Sequence, residues 1–197
     1  MLMIDTEKRS SEIHFPVAGL IADRRSTRAF SSEPVGADAI ESLFEAVRWA
    51  PSSSNEQPWY YCYATSDQDI FRQMVDALNP ANQAWAANAP LLILSLARKT
   101  HLRSGKQNAY SWYDTGGANA LLALQAVHLG MQVRQMGGFD RAKAVSALHI
   151  PDDLEPVVFI AVGYAGGLEK LPEPLQLKET SARERFLQEA FVRNGGF

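Results

Sequence analysis

The sequence predicts an α+β domain in which helices surround a mixed sheet, and three observations carry that prediction. Residues 91–97 (LLILSLA) and 157–163 (VVFIAVG) are nearly unbroken apolar runs of strand length, the pattern of central strands covered on both faces. Ile40, Leu43, Phe44 and Val47 recur at helical spacing, as do Ile70, Phe71, Met74, Val75 and Leu78. With 46% hydrophobic and 21% charged residues over 197 positions, the chain has enough apolar material for one sizeable core and too little charge for disorder. Residues 1–197 are therefore read as a single domain.

The elements follow in chain order. Residues 59–64 are the first strand candidate; Ser66 is expected to open the next helix, with Asp69 three positions on as a weak capping box. Residues 116–129, apolar apart from Asn119, Gln125 and His128, are too short to cross a bilayer and read as a buried helix. A short strand at 131–135 follows, and Asp140 is suited to cap a helix presenting Ala144, Val145 and Leu148. Pro172 and Pro174 are expected to keep LPEPLQLKET out of regular helix. The tail at 169–197 still carries Leu171, Leu175, Leu177, Phe186, Leu187 and Phe191, which suits either a frayed terminus or an arm packed on a second subunit. The arm is the reading adopted.

Lysine and arginine total 19 against 22 acids, so the net charge of -3 gives no reason to expect nucleic acid or a membrane as partner. Cys62 is the only cysteine, which excludes an intramolecular disulfide and suits a reducing compartment. The first residues lack the apolar run of a signal peptide, and the expectation is a cytoplasmic protein. No glycine-rich dinucleotide fingerprint, P-loop or GxSxG occurs, and His14, His101, His128 and His149 lack metal-ligand spacing, so no metal is expected.

Three short clusters remain. Arg24-Arg25-Ser26-Thr27-Arg28 sets three guanidinium groups among two hydroxyls. Arginine presents a rigid fork of donors that matches phosphate oxygens, although the pentapeptide alone more often makes a solvated basic turn. In APSSSNEQPW, residues 50–59, Pro51 ends a helix and Pro58 is expected to hold Gln57 extended. The amides of Asn55 and Gln57 each offer a donor and an acceptor, apt for the edge of a flat heterocycle; a capped loop is the plain alternative. In Met136-Gly137-Gly138-Phe139-Asp140, paired glycines allow close backbone approach to a planar ring, or simply a tight turn.

The order RRSTRAF, APSSSNEQPW, GGFD and a basic C-terminal segment resembles the nitroreductase family over about residues 20–186, with APSSSNEQPW the most specific piece. The resemblance implies an FMN-dependent oxidoreductase that passes hydride from NAD(P)H to nitroaromatic, quinone or similar electron-poor acceptors. It also implies an intertwined homodimer with an exchanged C-terminal arm. Arg24, Arg25, Ser26 and Arg28 correspond to the phosphate and ribityl site, which Arg183 and Arg185 complete. Ser52, Ser53, Asn55 and Gln57 match the loop that reaches the same flavin from the second subunit. Asn82 maps to a ring contact, and Gly137 and Gly138 to the turn under the reactive edge. Trp85 stands where some relatives carry a lysine near the flavin, and Gly137 where some carry an acid. No side chain is implied as an obligatory acid or base, because the flavin carries the chemistry.

Residues 98–113 (RKTHLRSGKQNAYSWY) form a long connection that holds five basic or histidine side chains, no acid, and three aromatics. Such a connection is often a lid, which makes Arg103, Lys106, Tyr110 and Trp112 candidate substrate contacts; a solvated loop anchored by its aromatics is the alternative. Two other functions fit the same motifs: a flavin-binding or storage protein without efficient turnover, and a specialised dehalogenase or dehydrogenase.

Overall fold

The computed structural model describes residues 9–196. Short strand β1 (Arg9–Ser10) is followed by α1 (Gly19–Asp23), α2 (Ala37–Arg48), β2 (Trp59–Thr65), α3 (Asp69–Ala77), α4 (Pro80–Ala86) and β3 (Leu91–Arg98). Then come α5 (Ser111–His128), β4 (Gln132–Met136), α6 (Arg141–Leu148), β5 (Leu154–Gly163), α7 (Glu173–Thr180) and β6 (Arg185–Phe186).

The main sheet runs β2-β3-β5-β4, and β1 pairs with β6 in a separate two-stranded ribbon. Every pairing is antiparallel, which corrects the expected mixed sheet while keeping the α+β class. The apolar runs misled because they report covering on both faces, not strand direction. Here both faces of an antiparallel sheet are covered. Leu92, Leu94 and Leu96 of β3 join Phe71, Met74 and Trp85 on one face. Leu91 and Ile93 join Leu43 of α2 and Leu122 of α5 on the other. Pro156 lies in central strand β5 at the point where the β3–β5 register shifts, which suits a residue with no N–H for a regular ladder.

The central helix α5 begins at Ser111, so Trp112 belongs to it and the connection ends at Tyr110. Its buried Asn119 donates to Ser95 on β3 (2.9 Å) and accepts from the Tyr61 hydroxyl on β2 (2.8 Å), pinning helix to sheet. Burial pushes the Tyr61 phenol up, which keeps it a donor. Asp140 caps α6 as expected, accepting the Lys143 N–H at 3.0 Å. Ser66 caps nothing: α3 starts at Asp69 behind Gln68, whose side-chain oxygen instead accepts the Thr65 N–H. The proline-rich stretch is helical after all, because Pro172 is the N-cap of α7 and Pro174 falls in its first turn, where no intrahelical donor is lost. Among the described residues, no helix is long and apolar enough to cross a membrane.

Candidate functional site

The segment after α1 and the segment after α7 lie side by side and enclose a cavity of about 480 Å3. Arg24, Arg25, Ser26 and Arg28 line it together with Arg183 and Arg185, all six drawn from the expected phosphate set. The fold adds five polar groups that sequence reasoning missed: Gln132 and Arg134 from β4, Lys178 and Glu179 from α7, and Ser181 just after it. Nothing local marks them. Alternation along β4 tells only which side of the sheet they occupy, not what lies over it.

The electrostatics of this cavity are one-sided. Burial and then the neighbouring Arg183 and Arg185 push the Arg24 pKa down. Burial and then Arg28 do the same to Arg134, opposed by Glu179. Among the described residues, Glu179 is the only carboxylate in the lining. Its oxygens accept the Thr27 hydroxyl, the Arg28 N–H (2.7 Å) and the Arg28 guanidinium (3.2 Å). Burial works against its ionisation, but those bonds outweigh it and hold the carboxyl below its ordinary value. Arg183 donates to the carbonyls of Arg24 and Ala22, each at 2.7 Å, and so ties the tail to the first turn. Crowded cations with one internal anion, in a space this size, suit a phosphate-bearing ligand. The Gln132 amide oxygen is buried beside this cavity with no donor in reach. A larger cavity, about 760 Å3, lies between residues 10–17 and 185–189, but its lining carries no cation cluster, and the chemistry favours the smaller one.

Trp85 is buried and stacks on Phe30 at 6.2 Å, so it is a core residue. The Arg134 guanidinium sits over its ring at 5.5 Å, bringing a cation to the place where some relatives were expected to carry lysine.

Gly137 and Gly138 link β4 to α6. Gly138 accepts hydrogen bonds from the Asn82 side chain (3.0 Å) and the Asn79 backbone (3.1 Å). A Cβ on Gly138 would lie 2.3 Å from Asn79 Nδ2, so close approach within the chain already demands glycine there. Gly137 has nothing within 4 Å of its missing Cβ, and no contact of this chain explains it. Asn79 caps α4: its side chain accepts the Asn82 N–H at 2.9 Å. Neither Asn82 nor the glycines line the arginine cavity.

The loop at 52–57 also stands apart from that cavity. Ser54, Asn55 and Gln57 have φ of 52°, 53° and 47°. Gln57 is thus left-handed, not extended, and neighbouring Pro58 does not prevent it. Each such non-glycine residue costs about 1–3 kcal/mol, so surrounding structure must enforce the shape. Buried Asp114 of α5 accepts the Ser53 N–H (3.0 Å), and Ser52 Oγ accepts the Gln57 N–H (3.0 Å).

Of the proposed substrate segment, Arg103, Lys106 and Tyr110 are exposed. Trp112 donates to Glu155 at 3.0 Å under the Arg141 guanidinium, which gives it an anchoring contact at the start of β5.

Residues 21–164 match the model of the Nitroreductase family. A Stenotrophomonas maltophilia (strain R551-3) protein named for an NADH dehydrogenase/NAD(P)H nitroreductase is 25% identical over 176 residues, covering 78% of this chain and 88% of its own. A nitrobenzene nitroreductase of Ectopseudomonas oleovorans is 43% identical, but over only 49 residues, 25% of this chain and 21% of its own. Among solved structures, an oxidoreductase containing FMN superposes with a TM-score of 0.88 at 34% identity, covering 94% of this chain and 95% of its own. A Desulfovibrio desulfuricans nitroreductase-like protein in complex with FMN shares the fold at a TM-score of 0.71 and 23% identity, over 93% of this chain and 99% of its own. With the family model spanning most of its length, this chain belongs to the nitroreductase family.

Proposed function

We propose that this protein is an FMN-dependent oxidoreductase that takes hydride from NAD(P)H and reduces an electron-poor small molecule, a nitroaromatic or quinone. The observation that carries the reading is the convergence of six arginines and the unpartnered Gln132 on one cavity. Bound FMN supplies the two-electron chemistry. The protein supplies placement: Arg24, Arg25, Arg28 and Arg185 hold the phosphate, while Ser26 and Gln132 serve the ribityl hydroxyls. Arg134 is the cation nearest the place expected of the ring, next to Trp85. No side chain is assigned as acid or base.

The working unit in this reading is a homodimer. The outward side of α5 exposes Trp112, Tyr113, Gly116, Gly117 and Ala120, and from Thr115 to Val127 the helix carries no charge. A second copy covering that side would also bring the distant 52–57 loop to the flavin. Support for the acceptor class comes from the names of the relatives.

The test is an absorbance spectrum of the purified protein, then NADPH oxidation with a nitroaromatic and with a quinone. Flavin bands and acceptor-dependent turnover are expected. A yellow protein whose flavin NAD(P)H does not reduce would instead be a flavin-storage protein.

A further inference from the structure

Among the described residues Arg98 is the one fully buried cation, 4% exposed. It closes the end of β3, where its guanidinium has four acceptors within reach. Nε donates to the Thr100 carbonyl (3.0 Å), Nη1 to the Tyr60 hydroxyl (3.1 Å), and Nη2 to the Glu56 carbonyl (3.0 Å). Nη2 also pairs with the Glu56 carboxylate at 3.4 Å. That carboxylate in turn accepts the Leu102 N–H (2.9 Å) and faces His101 Nδ1 at 3.4 Å. The Leu102 N–H is the chief cause that holds the Glu56 carboxyl below its ordinary value.

Glu56 lies among the left-handed residues Ser54, Asn55 and Gln57. Its backbone and its side chain are therefore both gripped, by Arg98 on one side and by residues 101–102 on the other. Asp114 holds only the start of this loop, at Ser53. The grip on Glu56, from Arg98 and Leu102, holds its far end.

We propose that Glu56 is a positioning residue: through Arg98 and Leu102 it locks the 52–57 loop to the 99–108 segment. The amides of Asn55 and Gln57 are thus aimed, through Glu56, by the 99–108 segment. This rests on the reading above that the loop contacts FMN. The lock itself does not need FMN and is testable without it.

The experiment has two arms. Hydrogen exchange on the flavin-free protein compares the parent with Glu56→Ala and the milder Glu56→Gln, which keeps an acceptor for Leu102 but no charge for Arg98. Glu56→Ala is expected to speed exchange in 52–57 and 99–108 together, by about tenfold, as for loss of one charge-assisted bond. Glu56→Gln is expected to act on the same two segments with smaller effect. Acceleration confined to one segment overturns the lock. The second arm reads the visible circular dichroism of bound FMN in Glu56→Ala and in Asn55→Ala. Both are expected to change it. A change with Asn55→Ala alone overturns the positioning role while the proposed function stands. No change with either removes the loop from the flavin, and the positioning role falls with it.

Discussion

The Glu179 carboxylate reaches back across 151 positions to the Arg28 backbone N–H, at 2.7 Å, and to its guanidinium, at 3.2 Å. The C-terminal helix thereby supplies the one negative charge in a cavity built from cations. Because the folded carboxyl is held below its ordinary value, it binds its proton less readily folded than unfolded. Its stabilisation is fully present above the unfolded carboxyl pKa of about 4.3 and is lost as pH falls through the lower folded value. Glu179→Gln mimics that loss at neutral pH. With partial exposure it should cost about 1 kcal/mol and quicken tryptic cleavage after Lys178 and Arg183. The Tm gap between parent and variant should shrink as pH falls below about 4; a gap of constant size would show that the charge is not what matters.

Arg28 keeps donors for a second anion beyond Glu179. Arg28→Ala is therefore expected to weaken FMN by about 1.5–3 kcal/mol, roughly 10- to 150-fold in Kd. Flavin fluorescence titration measures it. An unchanged Kd removes Arg28 from the phosphate site.

The two neighbouring glycines should respond differently. Alanine at Gly138 forces Asn79 aside, since the new Cβ would lie 2.3 Å from its amide, and the cap of α4 goes with it. About 1 kcal/mol of stability should be lost. Gly137→Ala meets nothing and should leave the stability of flavin-free protein within about 0.5 kcal/mol of the parent. If it nevertheless weakens FMN, the ring itself comes close at Gly137; equal affinity for parent and variant would argue against that contact.

Exposed Arg103 and Lys106 are expected to draw in the phosphates of NAD(P)H. Replacing both with serine should lower the second-order rate of flavin reduction by NADPH and flatten its salt dependence, since exposed charges are screened beyond about 8 Å at physiological ionic strength. A variant whose rate and salt dependence both match the parent's would dismiss them as recruiters. Trp112→Ala provides a contrast. Its bond to Glu155 and its place beneath Arg141 predict a loss of stability, and an altered ranking of acceptors with FMN retained would add a substrate role.

Ending the chain at Glu169 removes buried Leu171 together with Glu179, Arg183 and Arg185. Dimer and flavin should be lost together, as read by light scattering and absorbance. A truncated protein that stayed stable and yellow would refute the role given to the arm.

Much of this architecture was legible because it is local. The periods of α2 and α3 and the apolar runs of β3 and β5 are properties of neighbouring residues, and burial in the folded chain follows them. The RRSTR turn offered the right chemistry for a phosphate, and the resemblance to a family, not the residues alone, pointed to Arg183 and Arg185. The left-handed Gln57 did not, because neither glutamine nor the following proline favours that backbone. The helix α7 was hidden for the opposite reason: its prolines matter only in a helix interior, and they fall at its first turn.

By itself, then, the sequence determined the four strands of the main sheet and helices α2, α3, α5 and α6, which sides of them are apolar, and that Arg24, Arg25 and Arg28 suit a phosphate. The tertiary structure alone decided that the sheet is antiparallel, that Arg134 and Gln132 rise from β4 into the arginine cavity, and that Arg98 binds two loops through Glu56. The physical reason is separation along the chain. Side-chain spacing over a few residues sets which way each group faces. Which distant group it meets depends on how the layers close over one another, as when Glu179 closes on Arg28.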